Sequence, residues 1–355
     1  MSTRKKIAIF HNLNPGGAIE YNNEILQELM KIGYEIDLYT LKNPTTSEKK
    51  IYKNIYIFPF IQPEKLFSFL YLYPIYIKKI KEIAKEINND DYGLILINHC
   101  TISQTPPIFE FLSEKTLDKT IYIYHELKRE FYEKVSFDHY RPNRTIARLL
   151  RNFQKFSEQK NIKLCRHVVS NSEYSKNRLL QLLGKESTFI PCWEHFKTTS
   201  KKTGKGFLSI GTSGYTKGHW LTEEILENSN VIVDIISEKT NNPGDTEHIH
   251  WIGYKNKKQC QKALAKSKYY FANNVNEPLG LMTIEALINK NIVFANNTGA
   301  NEELIKPGLN GFLYPVDNIK ITRKILRRRP TTLSPYLSCR YNWKRYVDEL
   351  LKITK

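Results

Sequence analysis

The chain has 355 residues, 41% of them apolar and 25% charged. That is the balance of a soluble globular protein of about two domains, and it excludes collagen-like, disordered and disulfide-dense scaffolds. The formal net charge of +18 attracts polyanions: nucleic acid, an anionic membrane face or phosphorylated substrates.

The chain opens with basic residues but no long apolar core, which argues against a signal peptide. Residues 6–10 (KIAIF) read as a short buried strand, followed by the glycine-bearing loop HNLNPGGAIEY. Ile19–Met30 has helical spacing, and strands are predicted at Glu35–Thr40 and near Asn54–Pro59. Leu66–Ile87 reads as a helix kinked or restarted at Pro74. It is the greasiest stretch, yet Ser68, Pro74, Lys78 and Lys79 keep it from being a membrane span. Leu94–Ile97 is a strand ending at Asn98-His99, and Thr120–Tyr124 another ending at His125. A basic helix over Asn143–Lys163, a strand at Val168–Ser170 and a helix over Glu173–Leu183 complete the first half.

Phe196–Gly206 (FKTTSKKTGKG) is polar and basic and is the expected linker. Strands are then predicted at Phe207–Ile210, Val231–Ile236, Ile249–Gly253, Tyr269–Asn273, Ile292–Asn296 and Gly311–Pro315. Helices are predicted near His219–Leu226, over Lys257–Ala265 and Leu281–Asn289, and at the end over Asn342–Ile353. Strands alternating with helices imply parallel βαβ units. The expected fold class is α/β, two Rossmann-like doubly wound domains facing a central cleft. One is 1–195, joined by the C-terminal helix at 336–355; the linker is 196–206; the other domain is 207–335. Ligands bind such sheets beyond the carboxyl ends of the strands. Seven of the excess positive charges fall in 1–195 and eleven in 196–355, so no basic tail carries them.

Five cysteines, Cys100, Cys165, Cys192, Cys260 and Cys339, form no CxxC pair. They read as reduced thiols of a cytosolic protein and argue against a structural zinc site. Asp90-Asp91 lies in a polar loop and is not read as a metal-binding pair.

The richest stretch is Asn276–Leu287, NEPLGLMTIEAL. Glu277 ends a strand, Pro278 and Gly280 make a tight turn, and a helix starts near Gly280. Free amides at Leu279, Gly280 and Leu281 would then form an anion site suited to phosphate. Glu285, one turn in, reaches back to a neutral hydroxyl such as that of a ribose.

These residues resemble the signature of the retaining glycosyltransferases of family 4 (group 1), which have the GT-B fold: a glutamate, a proline, a glycine turn and a second glutamate. The resemblance implies that Glu277 lies beside the donor sugar and that Glu285 holds the ribose hydroxyls. NTGANEELIKPGLNGFLYP resembles the family's next block, placing Gly299, Glu303, Gly308 and Gly311. The closing YNWKRYVDELL resembles its C-terminal helix with Trp343, which packs back on the N-terminal domain. SIGTSGYTKGHW matches the family at Gly211, Lys217 and Gly218 but has Thr212 where an arginine is usual, so Lys217 is left to carry more of the leaving-group charge. Pro15-Gly16-Gly17-Ala18 fits the first strand–helix turn, where the Gly16 and Gly17 amides approach donor phosphate or acceptor. HELKR at 125–129 resembles a His-Glu-Pro-x-Arg motif of one branch, with Leu127 in place of the proline. It points His125 and Arg129 at the sugar, with His99 as a further sugar or acceptor candidate. Ser172 and Ser175 are read either as donor-side contacts or, for Ser172, as an N-cap.

The function implied is hexosyl transfer, with retention, from a UDP- or GDP-linked donor to a glycan or lipid-linked acceptor in cell-surface polysaccharide synthesis. The expected catalytic residues are His125, Glu277 and Lys217. No cofactor, metal or nucleic-acid partner is expected, and the location is cytoplasmic, with the inner membrane face open. Two other readings compete: a catalytically weak nucleotide-sugar-binding relic, and a basic nucleic-acid binder. In the Asn143–Lys163 helix, Arg144, Arg148 and Arg151 share one face and Ile146, Leu149, Leu150 and Phe153 another. Contact with an anionic membrane and an ordinary half-buried helix both fit that pattern.

Overall fold

In the computed structural model, each apolar run that ends in a polar residue forms a strand of a parallel sheet. The structure describes residues 6–46, 48–62, 66–133, 145–196, 204–211, 217–226, 230–237, 244–316 and 338–354. The first sheet holds β1 (Lys6–Asn12), β2 (Glu35–Thr40), β3 (Asn54–Ile57), β4 (Leu94–Cys100), β5 (Thr120–Tyr124), β6 (His167–Ser170) and β7 (Thr188–Phe189), in the order β3-β2-β1-β4-β5-β6-β7. All its pairings are parallel. The second sheet holds β9 (Phe207–Ile210), β10 (Val233–Ile236), β11 (Ile249–Trp251), β12 (Tyr269–Ala272), β13 (Ile292–Asn296) and β14 (Gly311–Tyr314), in the order β11-β10-β9-β12-β13-β14, again parallel.

Parallel sheets are covered on both faces, so their strands are continuously apolar. In β1, residues Ile7 to Phe10 are fully buried. Removing Ile7, Ile9 and Phe10 from water contributes about 1.5–3 kcal/mol each. In both sheets the strand order reverses beside the first strand of the unit: between β1 and β4, and between β9 and β12. Loops leave the sheet in opposite directions there and open a crevice.

The described chain divides into two units. One comprises 1–171, 175–192 and 343–355, and the other 172–174 and 193–342. The closing helix, Trp343–Leu350, packs on the Gly17–Lys31 helix of the first unit through Trp343 and Tyr346, whose rings stand edge-on to Tyr21 at 5.0 and 5.7 Å.

Three expectations change. Of the kink or restart expected at Pro74, the restart does not occur: one helix runs over Leu66–Asn89. The lost amide bond and the ring clash cost about 3 kcal/mol. Pro74 lies on the exposed side, while Tyr76, Ile80, Ile83, Ala84 and Ile87 are buried and hold the helix against the core. Second, the expected linker starts inside a strand. β8 (Trp193–Phe196) pairs antiparallel with β15 (Ser338–Tyr341), a ribbon the alternation rule does not foresee. Third, Leu149 and Phe153 are exposed rather than half-buried, because the core face of the Thr145–Leu164 helix is Glu158, Asn161 and Ile162. Arg144 lies outside the described residues. All five cysteines are buried. Among the described residues no helix is long and apolar enough to cross a membrane.

Candidate functional site

In the second unit the chain after β9 and the chain after β12 meet at the switch point. Lys217 stands in the turn that enters the His219–Leu226 helix, and its Nζ lies 2.9 Å from Glu277 Oε2. The two side chains are 25% and 18% exposed, so both charges stay in reach of solvent. Gly218 makes the approach possible. Its φ is +68°, and a Cβ there would overlap the Asn273 carbonyl oxygen at the end of β12. Gly211, just past β9, packs against the Lys217 stem, with a Cβ position 3.6 Å from Lys217 Cγ.

The loop carrying Glu277 is held from behind by the end of β13. Asn276 donates its amide to Thr298 Oγ1 (2.9 Å), Asn296 Nδ2 donates to the Asn274 carbonyl (2.9 Å), and Ala300 donates its amide to the Glu277 carbonyl (2.8 Å). Gly299 lies against the Glu277 backbone so closely that a Cβ would overlap it. Asn296 and Thr298 were not foreseen. The only sequence signal is a strand ending in Asn-Asn-Thr-Gly.

The following helix is Leu281–Ile288, with Gly280 as a left-handed N-cap at φ +75°. The amides without an intrahelical partner are therefore those of Gly280, Leu281, Met282 and Thr283, so of the three expected ones Gly280 and Leu281 belong to the helix start and Leu279 does not. Leu279 precedes the helix and is buried. Glu285, one turn in, is half-buried. Both glutamates, after burial, help push up the pKa of Tyr270, whose hydroxyl donates to the Ile210 carbonyl at 3.3 Å. Glu277 follows β12 and Glu285 lies in the first turns of the helix that comes after it. The arrangement offers a cation, a helix N-terminus and two carboxylates, the donors and acceptors that a charged diphosphate and a polyhydroxylated group require. Thr212 lies outside the described residues.

The first unit carries a polar cluster at its own switch point. His11 and Asn12 end β1, Asn98 and His99 lie near the end of β4, and His125 follows β5. His125 Nε2 donates to Asn98 Oδ1 (3.1 Å), and Asn98 Nδ2 donates to Asn22 Oδ1 (3.0 Å). The ring of His99 stands edge-on to His125 at 5.0 Å, and that of Tyr21 at 5.4 Å. Burial, and then His99, holds the His125 pKa well below the usual imidazole value. Burial, and then His11, lowers His99 to about 4. Burial likewise lowers His11 to about 4, so all three imidazoles are neutral near pH 7 and act as hydrogen-bonding groups. His11 Nδ1, Asn12 Oδ1, Asn22 Nδ2 and His99 Nδ1 are enclosed without a hydrogen-bond partner among the described residues. Such atoms call for water or a polar ligand.

Arg129 is turned to Glu126 Oε2 (3.0 Å) rather than to His125. Leu127 is buried. Gly16, at φ +149°, caps the Gly17–Lys31 helix, and both Gly16 and Gly17 are exposed. Ser175 donates to the His125 carbonyl (3.3 Å), which gives it a structural bond, and Ser172 is buried.

Two family models match the chain. "Glycosyltransferase Family 4" covers residues 15–193, half of the chain, and "Glycosyl transferases group 1" covers 194–327. No curated protein matches it significantly by sequence. Among solved structures, sucrose-phosphate synthase from Thermosynechococcus elongatus is 16% identical, covering 99% of this chain and 95% of its own, with a TM-score of 0.66. Anabaena HepE in complex with UDP is 14% identical over 99% and 96%, with a TM-score of 0.58. WaaG, a glycosyltransferase involved in lipopolysaccharide biosynthesis, is 11% identical over 98% and 97%, with a TM-score of 0.63. These likenesses show the fold.

Proposed function

The chain belongs to glycosyltransferase family 4 and has the GT-B fold, and we propose that it moves a hexosyl group from a UDP- or GDP-linked donor to a hydroxyl of a glycan or lipid-linked saccharide, with retention, in cell-surface polysaccharide synthesis. The observation that carries this reading is the Lys217–Glu277 pair at the second switch point, beside the first turn of the Leu281–Ile288 helix. The UDP bound to HepE, a protein of the same fold, agrees with a nucleotide donor.

In this mechanism the donor diphosphate displaces Glu277 from Lys217. The lysine and the amides of Leu281, Met282 and Thr283 take the leaving-group charge, as a metal ion does in other transferases. Fixed charge of this kind stabilises the transition state without reorganisation. Glu277, released from Lys217, accepts hydroxyls of the donor sugar, and Glu285 accepts from the ribose. Neutral His125 and His99 of the first unit are hydrogen-bonding groups suited to sugar hydroxyls, and the acceptor proton passes to the departing phosphate. Arg129 enters only if it leaves Glu126. The reading is tested by incubating the protein with UDP- and GDP-hexoses, with and without EDTA. Release of UDP or GDP unaffected by EDTA is expected. Nucleotide binding with no hydrolysis or transfer under any acceptor condition would favour the relic.

A further inference from the structure

We infer that Tyr21 is a positioning residue for His125: its ring, backed by the closing helix of the first unit, fixes the imidazole so that Nδ1 is the atom left to meet a ligand. The effect on turnover rests on the proposed contact of His125 with sugar or acceptor; the placement of the ring does not.

His125 follows β5 in a loop, so neighbours rather than regular structure set its ring. Nε2 donates to Asn98 Oδ1 (3.1 Å), and Asn98 Nδ2 donates in turn to Asn22 Oδ1 (3.0 Å). A single hydrogen bond fixes one atom and leaves the ring free to swivel about it. Two further rings oppose that swivel. His99 stands at 5.0 Å and 83° to the imidazole, and Tyr21 at 5.4 Å and 79°. Edge-on pairs are directional, and each biases the population about two- to tenfold. Tyr21 and Asn22 are consecutive on the Gly17–Lys31 helix, so one turn of it supplies both the ring contact and the end of the hydrogen-bond chain. His125 Nδ1 makes no hydrogen bond among the described residues and, unlike His99 Nδ1, is not enclosed. Its lone pair is the one presented to a donor such as a sugar hydroxyl.

Tyr21 is itself held from behind. It is buried, and Trp343 and Tyr346 stand edge-on to it and, at 5.8 Å, to each other. Cys192 lies in the same cluster: burial, then Tyr346 and Cys192, raise the pKa of the Tyr21 hydroxyl well above its usual value. The chain of the first unit breaks off at Cys192 and resumes at Trp343, so both ends of that excursion border Tyr21. A close-packed interior passes a displacement on instead of absorbing it. Trp343, Tyr21 and His125 form one line of ring contacts along which it passes. An ordinary core tyrosine would need only its bulk, whereas a positioning one needs its ring edge. The hydroxyl has no hydrogen-bond partner among the described residues, so Tyr21→Phe keeps all that the contact uses, and Tyr21→Leu keeps only apolar bulk.

The test is the imidazole proton–nitrogen NMR spectrum of the full chain at pH 7, with His125 assigned by its loss in His125→Gln. Wild type and Tyr21→Phe should both show His125 in one neutral form, protonated on Nε2. Tyr21→Leu should show it averaged between the two tautomers, with His248 of the second unit unmoved. Trp343→Leu, one layer further out, should move the His125 signal in the same direction, and it carries the test if Tyr21→Leu does not fold. The kcat for release of UDP or GDP from the donor should fall about tenfold in Tyr21→Leu, with donor KM little changed, and should stay near wild type in Tyr21→Phe. An unmoved His125 signal in Tyr21→Leu and Trp343→Leu overturns the positioning role, and so does equal damage from Tyr21→Phe and Tyr21→Leu. A moved signal with full turnover supports the positioning and counts against the proposed sugar contact of His125, so the two readings fail separately.

Discussion

Lys217 and Glu277, 60 residues apart in sequence, form an ion pair at 2.9 Å where the strand order of the second sheet reverses. Neither residue is placed by regular structure alone. Lys217 sits in a turn whose next residue must be glycine, and Glu277 sits in a loop anchored by Asn296, Thr298 and Ala300. A part-buried, partly solvated pair of this kind contributes little to stability, about 0–1 kcal/mol. Its geometry requires glycine at 218 and 299, where the backbone has positive φ and a Cβ would overlap neighbouring backbone, and the proposed role of Lys217 as an anion-binding cation would explain why it is kept.

Lys217→Ala should lower kcat/KM for donor turnover at least about 100-fold, about 2.7 kcal/mol of transition-state stabilisation. The melting temperature should move little, because the pair is surface-screened. Steady-state kinetics beside a thermal melt checks both. A variant within threefold of wild type would remove Lys217 from the site.

Gly218→Ala and Gly206→Ala separate steric overlap from backbone strain. Both glycines have positive φ, +68° and +77°, but only Gly218 meets backbone where a Cβ would go; nothing lies within 4 Å of the Gly206 position. Gly206→Ala should cost about 1–2 kcal/mol, the left-handed penalty alone. Gly218→Ala should cost more than that and weaken nucleotide binding as well. Urea titration of both variants measures the difference, and equal costs would refute the close approach.

Glu158, 2% exposed beneath Tyr132 in the first unit, has its carboxyl pushed up to about 7, chiefly by burial. The folded protein holds that proton more tightly than the unfolded chain does. The stabilisation is complete below about pH 4.5 and is lost as pH rises through 7, a total of about 3 kcal/mol. His11 and His99, lowered to about 4, act the other way: their contribution is lost as pH falls from 6.5 towards 4. Glu158→Gln leaves the histidines in place and removes only the first effect. Its stability relative to wild type should therefore increase between pH 5 and pH 8, as read by denaturant titration. A constant difference would contradict the assignment.

Asn98→Asp should put a carboxylate 3.1 Å from His125 Nε2 and raise its pKa. Asn22 can turn its amide, whose Nδ2 has no partner among the described residues, to keep the neighbouring bond. Imidazole resonances followed by NMR should show His125 neutral throughout pH 5–8 in wild type and titrating there in the variant. An unchanged titration would show that Asn98 does not set the His125 charge.

Much of this was legible in the residues. The buried strands β1, β4, β5, β9, β12 and β13 are short apolar runs, and the polar residues that end them, Asn98-His99, His125 and Asn273, mark the site end of each sheet. Glycines at 218, 280 and 299 signalled turns because positive φ admits few other residues. What escaped was set by tertiary contact. Pro74 stays in its helix because five neighbours are buried, β8 finds its partner more than a hundred residues away, and the support from Asn296 and Thr298 depends on two loops meeting. The exposure of Leu149 and Phe156 also lay beyond periodicity, which finds a stripe but not which stripe faces the core.

The most direct test of the account is equilibrium binding of UDP and GDP to wild type and to Lys217→Ala by isothermal titration. The account predicts that one nucleotide binds the wild type and that Kd rises about tenfold or more in the variant, the loss of one charge-assisted contact. Equal affinities for wild type and variant, or no affinity of the wild type for either nucleotide, would contradict it.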